Sequence, residues 1–135
     1  MNREELQKIL PHREAMFLLD KAYVEEGIAR AQKFITGDEW FLRGHFPGHP
    51  VVPGVILCEI LGQSACVLFP DELAGKTPFF SGIKNARFRR PVVPGDTFST
   101  EVELVRKSMG FYFLEAKGFV EGELCVEAQL SFAIR

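Results

Sequence analysis

Apolar and polar positions alternate most clearly at the end of the chain. Leu124, Val126, Ala128, Leu130, Phe132 and Ile134 fall on one face, and Cys125, Glu127, Gln129 and Ser131 on the other. A period of two means a strand with one face on a core and one toward water. The pattern predicts strands over 79–90, 97–107, 111–120 and 123–135, with VVPGD, Met109-Gly110 and Glu121-Gly122 as the turns between them. Upstream, 16–25 and 28–36 read as two further strands joined by Glu26-Gly27. Residues 2–10 suit a short helix, with Asn2 as its cap, Glu5 in the capping-box position and Pro11 as its stop. Between 37 and 54 the stretch GHFPGHPVVPG is too dense in proline and glycine for a regular element. The aromatics of 37–54, Trp40, Phe41 and Phe46, favour an ordered loop all the same.

One segment departs from both patterns. GVILCEILGQSACVLF, residues 54–69, reads as a helix that is apolar almost all round, and such a helix must be covered on every side. A single antiparallel sheet of about six strands can curl round that helix and cover one side of it. The other side needs a partner, and a second copy of the chain is the simplest one. The expected class is therefore α+β, a curved antiparallel sheet wrapped round one long central helix, as an obligate homodimer.

Composition narrows the class further. With 135 residues and no linker, repeat or low-complexity stretch, residues 1–135 form one domain. At 47% hydrophobic and 25% charged the chain has the make-up of a soluble globular protein and not of a disordered one. Sixteen basic against eighteen acidic residues argue against a nucleic-acid binder. The longest apolar run, 51–69, is broken by Pro53, Glu59, Gln63 and Ser64, and falls short of the about 20 clean residues that a membrane span wants. MNREELQKIL has charges where a signal peptide needs an apolar stretch. Cys58 and Cys66, about 12 Å apart on a helix, are too far for a disulfide, so reduced thiols and a cytoplasmic location are expected.

The candidate chemistry sits where the loop meets the helix. Pro53 fixes the approach, Gly54 lets backbone come close to a ligand, and the first helical amides have no internal partner. With the helix dipole, those amides can hold a developing oxyanion. Glu59 lies about 7–8 Å along the axis, with Gln63 one turn further on the same face. A carboxylate on a greasy helix loses solvation, which poises it as a proton donor. A salt bridge to an arginine would account for Glu59 equally well. His45 lies in a loop rich enough in proline to hold it rigid, and imidazole titrates in the useful range; a hydrogen-bonding role is its plain alternative. Base, acid and oxyanion donors in an apolar setting suit removal of a proton alpha to a carbonyl with loss of a beta hydroxyl. Neither metal nor redox cofactor is required. His45 and His49 have zinc-pair spacing, but the intervening Phe-Pro-Gly forbids the helix that such a pair needs. Cys58 would point to a different helix face, as a plain core residue. Lys84, Arg87, Arg89 and Arg90 form a basic cluster, either a solvated strand edge or a dock for a phosphate or an acidic protein.

GHFPGHPVVPGVILCEILGQSA resembles the beta-hydroxyacyl-[acyl-carrier-protein] dehydratases of bacterial type II fatty acid synthesis. LPHR at 10–13 with FLLD at 17–20, and FFSGIKNARFRRPVVPGD at 79–96, resemble two further signatures of that family, so the likeness runs over nearly the whole chain. The resemblance implies a hot-dog fold, a dimer and usually a trimer of dimers. It implies His45 and Glu59 as the catalytic pair, contributed by different subunits, with Gly54 at the helix-start amide and Gln63 orienting the acid. The implied substrate is a beta-hydroxyacyl thioester on the phosphopantetheine of acyl carrier protein, dehydrated to the trans-2-enoyl form. Phe79, Phe80, Ile83 and Phe88 would line the acyl tunnel, and Lys84, Arg87, Arg89 and Arg90 would face the acidic carrier. Glu14-Ala15 and Lys21-Ala22 depart from the family pattern and bear on tail preference or subfamily. Glu59, where the dehydratase-isomerase branch carries Asp, favours dehydration without isomerisation. An acyl thioesterase on the same fold, with Glu59 activating water, and a non-catalytic carrier-binding subunit are the competing readings; His45 paired with Pro53-Gly54 disfavours the first, and the presence of both His45 and Glu59 the second.

Overall fold

The computed structural model describes residues 1–135. Six antiparallel strands form one sheet in the order β1-β2-β4-β5-β6-β3. They are β1 (Lys21–Glu25), β2 (Ile28–Phe34), β3 (Pro78–Phe88), β4 (Thr97–Ser108), β5 (Phe111–Val120) and β6 (Glu123–Ile134). Helix α2 (Gly54–Cys66) packs against one face of the sheet, and the short helices α1 (Arg3–Leu6) and α3 (Pro70–Leu73) lie outside it. The expected α+β architecture of a sheet about one helix is what the chain adopts.

Curvature comes from breaks in register. The β3–β6 ladder shifts between Phe80 and Gly82 and again between Lys84 and Arg87, and the β4–β5 and β5–β6 ladders each shift once. An extra residue on one strand bends it and increases its twist. Gly118 on β5 permits a close approach of another kind, since a Cβ there would lie 2.1 Å from the ring of Phe98, a fully buried side chain.

Helix α2 is tied to the sheet by buried polar contacts as well as by its apolar face. Ser64 donates to the carbonyl of Ile60 (2.8 Å), Thr100 of β4 donates to Ser64 (2.8 Å), and the Ala31 amide of β2 donates to Thr100 (3.2 Å). Both hydroxyls are at most 1% exposed and find partners, which is what makes their burial tolerable. The covering is one-sided, as the sequence required. Ile56, Leu57, Ile60, Leu61, Ala65 and Cys66 are buried, whereas Val55 is 76% exposed and Glu59 and Gly62 are half-buried. Positions 55, 59 and 62 share one helix face, the least covered one, which the sheet borders at its β3 edge through Phe80.

Several boundaries differ from expectation. The first helix stops at Leu6, although Asn2 and Glu5 do form the capping box. Residues 16–20 are not strand. Phe17, Leu18 and Leu19 are consecutive and all at most 3% exposed, and a strand cannot turn three successive side chains inward. The predicted 28–36 strand ends at Phe34, 79–90 ends at Phe88, and 54–69 ends as helix at Cys66. Within the loop, Trp40–Leu42 makes one 3-10 turn that the proline density did not announce. Cys125, assigned to the solvent face of the last strand, is buried, because the chain leaving β3 crosses it: the amide of Arg89 donates to the Cys125 carbonyl at 2.7 Å.

Candidate active site

The loop that carries His45 is held by its own backbone. The amide of His45 donates to Leu42 and that of Val51 to the His45 carbonyl, while Phe46 and His49 exchange both of their backbone hydrogen bonds. The imidazole stacks on Phe46 with ring centroids 4.1 Å apart. Its Nδ1 lies 2.7 Å from the carbonyl oxygen of Val51. A carbonyl only accepts, so in the neutral ring the proton sits on Nδ1 and the lone pair on Nε2, the tautomer that a general base needs. His45 lines a cleft with Gly54, Leu57, Phe88, Arg90 and Val92. At the helix start Ile56 and Leu57 bond to the Pro53 carbonyl, so the amides of Gly54 and Val55 lie ahead of the intrahelical ladder. Gly54 has a packing reason of its own, because a Cβ there would lie 2.8 Å from the Phe88 ring.

Glu59 opens into a second cavity, shared with His12, Gly62, Cys66, Phe80 and Phe132. Its Oε2 accepts from Gln63 Nε2 at 2.9 Å, the i, i+4 contact that the helix spacing provides. Gln63 is 1% exposed and fully used: Nε2 also donates to the Met16 carbonyl (2.7 Å), and Oε1 accepts from the Leu18 amide (2.9 Å). The segment before β1 is thereby pinned to α2 beside the carboxylate. The arginine that would have explained Glu59 as a salt bridge is not there; the cation-capable neighbour is His12, with Nε2 3.4 Å from Oε2. Burial first, and the charge of Glu59 second, push the Cys66 thiol up to about 12. Burial alone raises the Cys58 thiol. Neither is set up as a nucleophile.

Within one chain His45 and Glu59 line different cavities. Of the tunnel candidates, Phe80 borders the cavity of Glu59 and Phe88 the cleft of His45, while Phe79 and Ile83 stand about half exposed on β3. The basic cluster divides. Arg89 pairs with Glu127 at 2.9 Å, Arg90 lies 3.6 Å from both Asp96 and Glu123, and Lys84 and Arg87 are exposed without an ion pair. His12 is the residue that the sequence reading missed. Its signal was the imidazole inside LPHR, a segment otherwise read only for its likeness to a family.

A curved antiparallel sheet curled round one helix, with an imidazole before the helix and a carboxyl within it, defines a protein of the hot-dog class. The FabA-like domain model matches residues 10–129. The 3-hydroxyacyl-[acyl-carrier-protein] dehydratase FabZ of Clostridium perfringens (strain SM101 / Type A) is 41% identical over 99% of both chains. That of Caldicellulosiruptor saccharolyticus is 44% identical, covering 95% of this chain and 94% of its own. Among solved structures, the dehydratase heterocomplex ApeI:P from Xenorhabdus doucetiae has a TM-score of 0.82 at 19% identity, covering 96% of this chain and 90% of that one. The E. coli PaaI protein reaches 0.65 at 14% identity, covering 82% and 79%; both likenesses speak to the fold. The chain belongs to the FabA-like family, among the 3-hydroxyacyl-[acyl-carrier-protein] dehydratases.

Proposed function

We propose that this chain dehydrates (3R)-hydroxyacyl thioesters carried on acyl carrier protein to trans-2-enoyl thioesters, as a step of fatty acid biosynthesis. The observation that carries the mechanism is the fixed tautomer of His45, whose Nδ1 proton is spent on Val51. Nε2 takes the proton from C2 of the substrate. The C2–H electrons flow toward the thioester carbonyl, and the free amides at the start of α2 hold the oxygen as it gains charge. Glu59 then delivers its proton to the C3 hydroxyl, the C3–O bond breaks, the C2=C3 bond forms and water leaves. All electrons stay within the substrate, so no cofactor takes part beyond the phosphopantetheine of the carrier.

The site is assembled between two copies of the chain, His45 from one and Glu59 from the other. Support comes from their separation within one chain and from two bare surfaces. One is the helix stripe through Val55, Glu59 and Gly62. The other is β3, paired only with β6, whose Phe79, Phe80, Ile83 and Phe88 are each 43–55% exposed. A long apolar edge strand seeks a partner, and because these side chains are already about half covered, burying the rest of each contributes about 1 kcal/mol, half of a full burial. Three such dimers make the assembled hexamer, and Lys84 and Arg87, the unpaired members of the basic cluster, meet the acidic carrier. No helix is long and apolar enough to cross a membrane, and the enzyme works in the cytoplasm.

Complementation tests the reading. With a 3-hydroxybutyryl thioester, H45A and E59Q should each lose about 10²–10⁴-fold in rate. Co-refolded in equal amounts, they should recover about a quarter of wild-type activity, because half of the dimers are mixed and each mixed dimer holds one intact site. Wild-type rate in either variant removes that residue from the mechanism, and no recovery on mixing removes the shared site. Free thiol released from acyl thioesters would instead indicate a thioesterase.

A further inference from the structure

The proposed role of Glu59 leaves open which of its two oxygens gives up the proton, and the surroundings of the carboxyl decide it. Two N–H groups from different parts of the chain converge on Oε2. Gln63 Nε2 approaches along the helix at 2.9 Å, and His12 Nε2 approaches from the segment between α1 and β1 at 3.4 Å. The second contact is an ion-pair distance, longer than a formed N–H···O hydrogen bond, and contacts in a site without substrate commonly tighten when substrate binds. His12 also borders the cavity into which Glu59 opens.

The other ring nitrogen settles how His12 acts. Its Nδ1 is buried and has no hydrogen-bond partner. A buried N–H without an acceptor is costly, so the ring proton belongs on Nε2, where Glu59 can accept it. A doubly protonated ring would strand an N–H at Nδ1. His12 therefore serves as a one-sided donor to the carboxyl.

No other group competes for that oxygen. Arg13, the neighbouring charge, spends its donors on the carbonyls of Gln7, Leu10 and His12. From α2 the remaining titratable neighbour is Cys66, whose thiol stays protonated. From β3 and β6 the cavity receives only Pro78, Phe80 and Phe132.

We infer that His12 is a positioning residue: with Gln63 it fixes Oε2 of Glu59, so that Oε1 is the oxygen that carries the proton to the leaving hydroxyl. The inference rests on the reading of Glu59 as the acid. A carboxyl held by one donor can turn about its terminal torsion and offer either oxygen; held by two, it presents one.

Steady-state kinetics of the full-length H12A, H12Q and H12N proteins on a carrier-bound 3-hydroxyacyl thioester, with E59Q alongside, test it. H12A should lower kcat about 10–100-fold, the scale of a misplaced reacting group, with KM within about twofold of wild type. The limb of the kcat–pH profile that disappears with E59Q should move to higher pH in H12A, because the carboxylate has lost a donor. H12Q, which keeps an N–H of similar reach, should recover most of the rate; H12N, too short to reach, should not, and stands in for alanine if H12A folds poorly. Wild-type kcat and profile in H12A or H12N overturn the inference and leave the role of Glu59 intact. Equal losses in H12Q and H12A with an unmoved profile also overturn it, making His12 a packing residue. A wild-type rate in E59Q overturns the acid and the inference together.

Discussion

Gln63 joins the fold to the site, and replacing it by methionine separates what its polar atoms do from what its volume does. The two side chains are similar in length and flexibility, so Q63M leaves little cavity. It removes three contacts at once: the acceptor for the Leu18 amide, the donor to the Met16 carbonyl and the donor to Glu59. With the side chain only 1% exposed, water does not simply replace them. The two orphaned backbone groups cost about 1–3 kcal/mol each, and the buried thioether returns about 1 kcal/mol, so the net loss should be about 1–5 kcal/mol, centred on about 3 kcal/mol. Urea unfolding reads this directly. For a slope of about 2 kcal/mol/M, a loss of about 3 kcal/mol should lower the midpoint by about 1.5 M with the slope unchanged, read at one fixed protein concentration so that any association weighs equally on both proteins. Activity under native conditions should fall as well, since Glu59 loses an anchor. A midpoint within about 0.3 M of wild type would show that the segment before β1 is held by something other than Gln63, and the argument for the clamp would fail.

Three further outcomes follow from contacts elsewhere. A methyl group at residue 62 would sit 2.5 Å from Phe80 Cζ. G62A should therefore push that ring off the helix, cost about 1–3 kcal/mol and change the ratio of rates on short and long acyl chains; an unchanged ratio would take Phe80 out of the acyl path. Cys58, Cys66 and Cys125 are buried, and the Cys66 thiol is pushed up to about 12. The folded protein should thus resist a thiol reagent at about pH 8 and label only on unfolding, whereas rapid native labelling of Cys66 would contradict its burial. For Glu39, burial acts to raise the carboxyl, but hydrogen bonds from the Thr36 and Gly37 amides and the Thr36 hydroxyl outweigh it, and the net shift is downward. A group depressed on folding stabilises above its unfolded value of about 4.3 and loses that contribution as pH falls through the lower folded value. E39Q should cost about 1–2 kcal/mol near neutrality, and the gap to wild type should close in acid; a gap constant from neutral pH to acid would refute the assignment.

How far the sequence could be read depended on how local each cause is. The capping box of Asn2 and Glu5, the strands 97–107 and 111–120 and the start of α2 at Gly54 all follow from nearest neighbours, and they lie within a residue or two of expectation. The all-apolar helix with its lone carboxylate already pointed to one-sided cover and to Glu59, and Gln63 was placed beside it by helix geometry alone. What the sequence hid is what distant segments impose. Residues 16–20 look like strand by composition, yet the Leu18 amide bonds to a side chain 45 positions away. Cys125 sits on a polar face by count and is buried because the chain after β3 passes over it. His12 lies 47 positions before Glu59, and no periodicity links a residue of an irregular segment to a helix face across that span. The basic cluster read as one patch; cross-strand and loop partners for Arg89 and Arg90 split it.

Trp40 is the chain's single tryptophan. Its indole Nε1 donates to the Ala15 carbonyl at 2.9 Å, and the ring is 41% exposed. That one bond stitches the segment following His12 to the loop that carries His45, and thus links the surroundings of Glu59 to those of His45 within one chain. The molecule accordingly carries a built-in optical reporter. Its indole emission arises at one place, and any event that parts the stitched segments changes the polarity around that fluorophore and shifts its colour, with no label added.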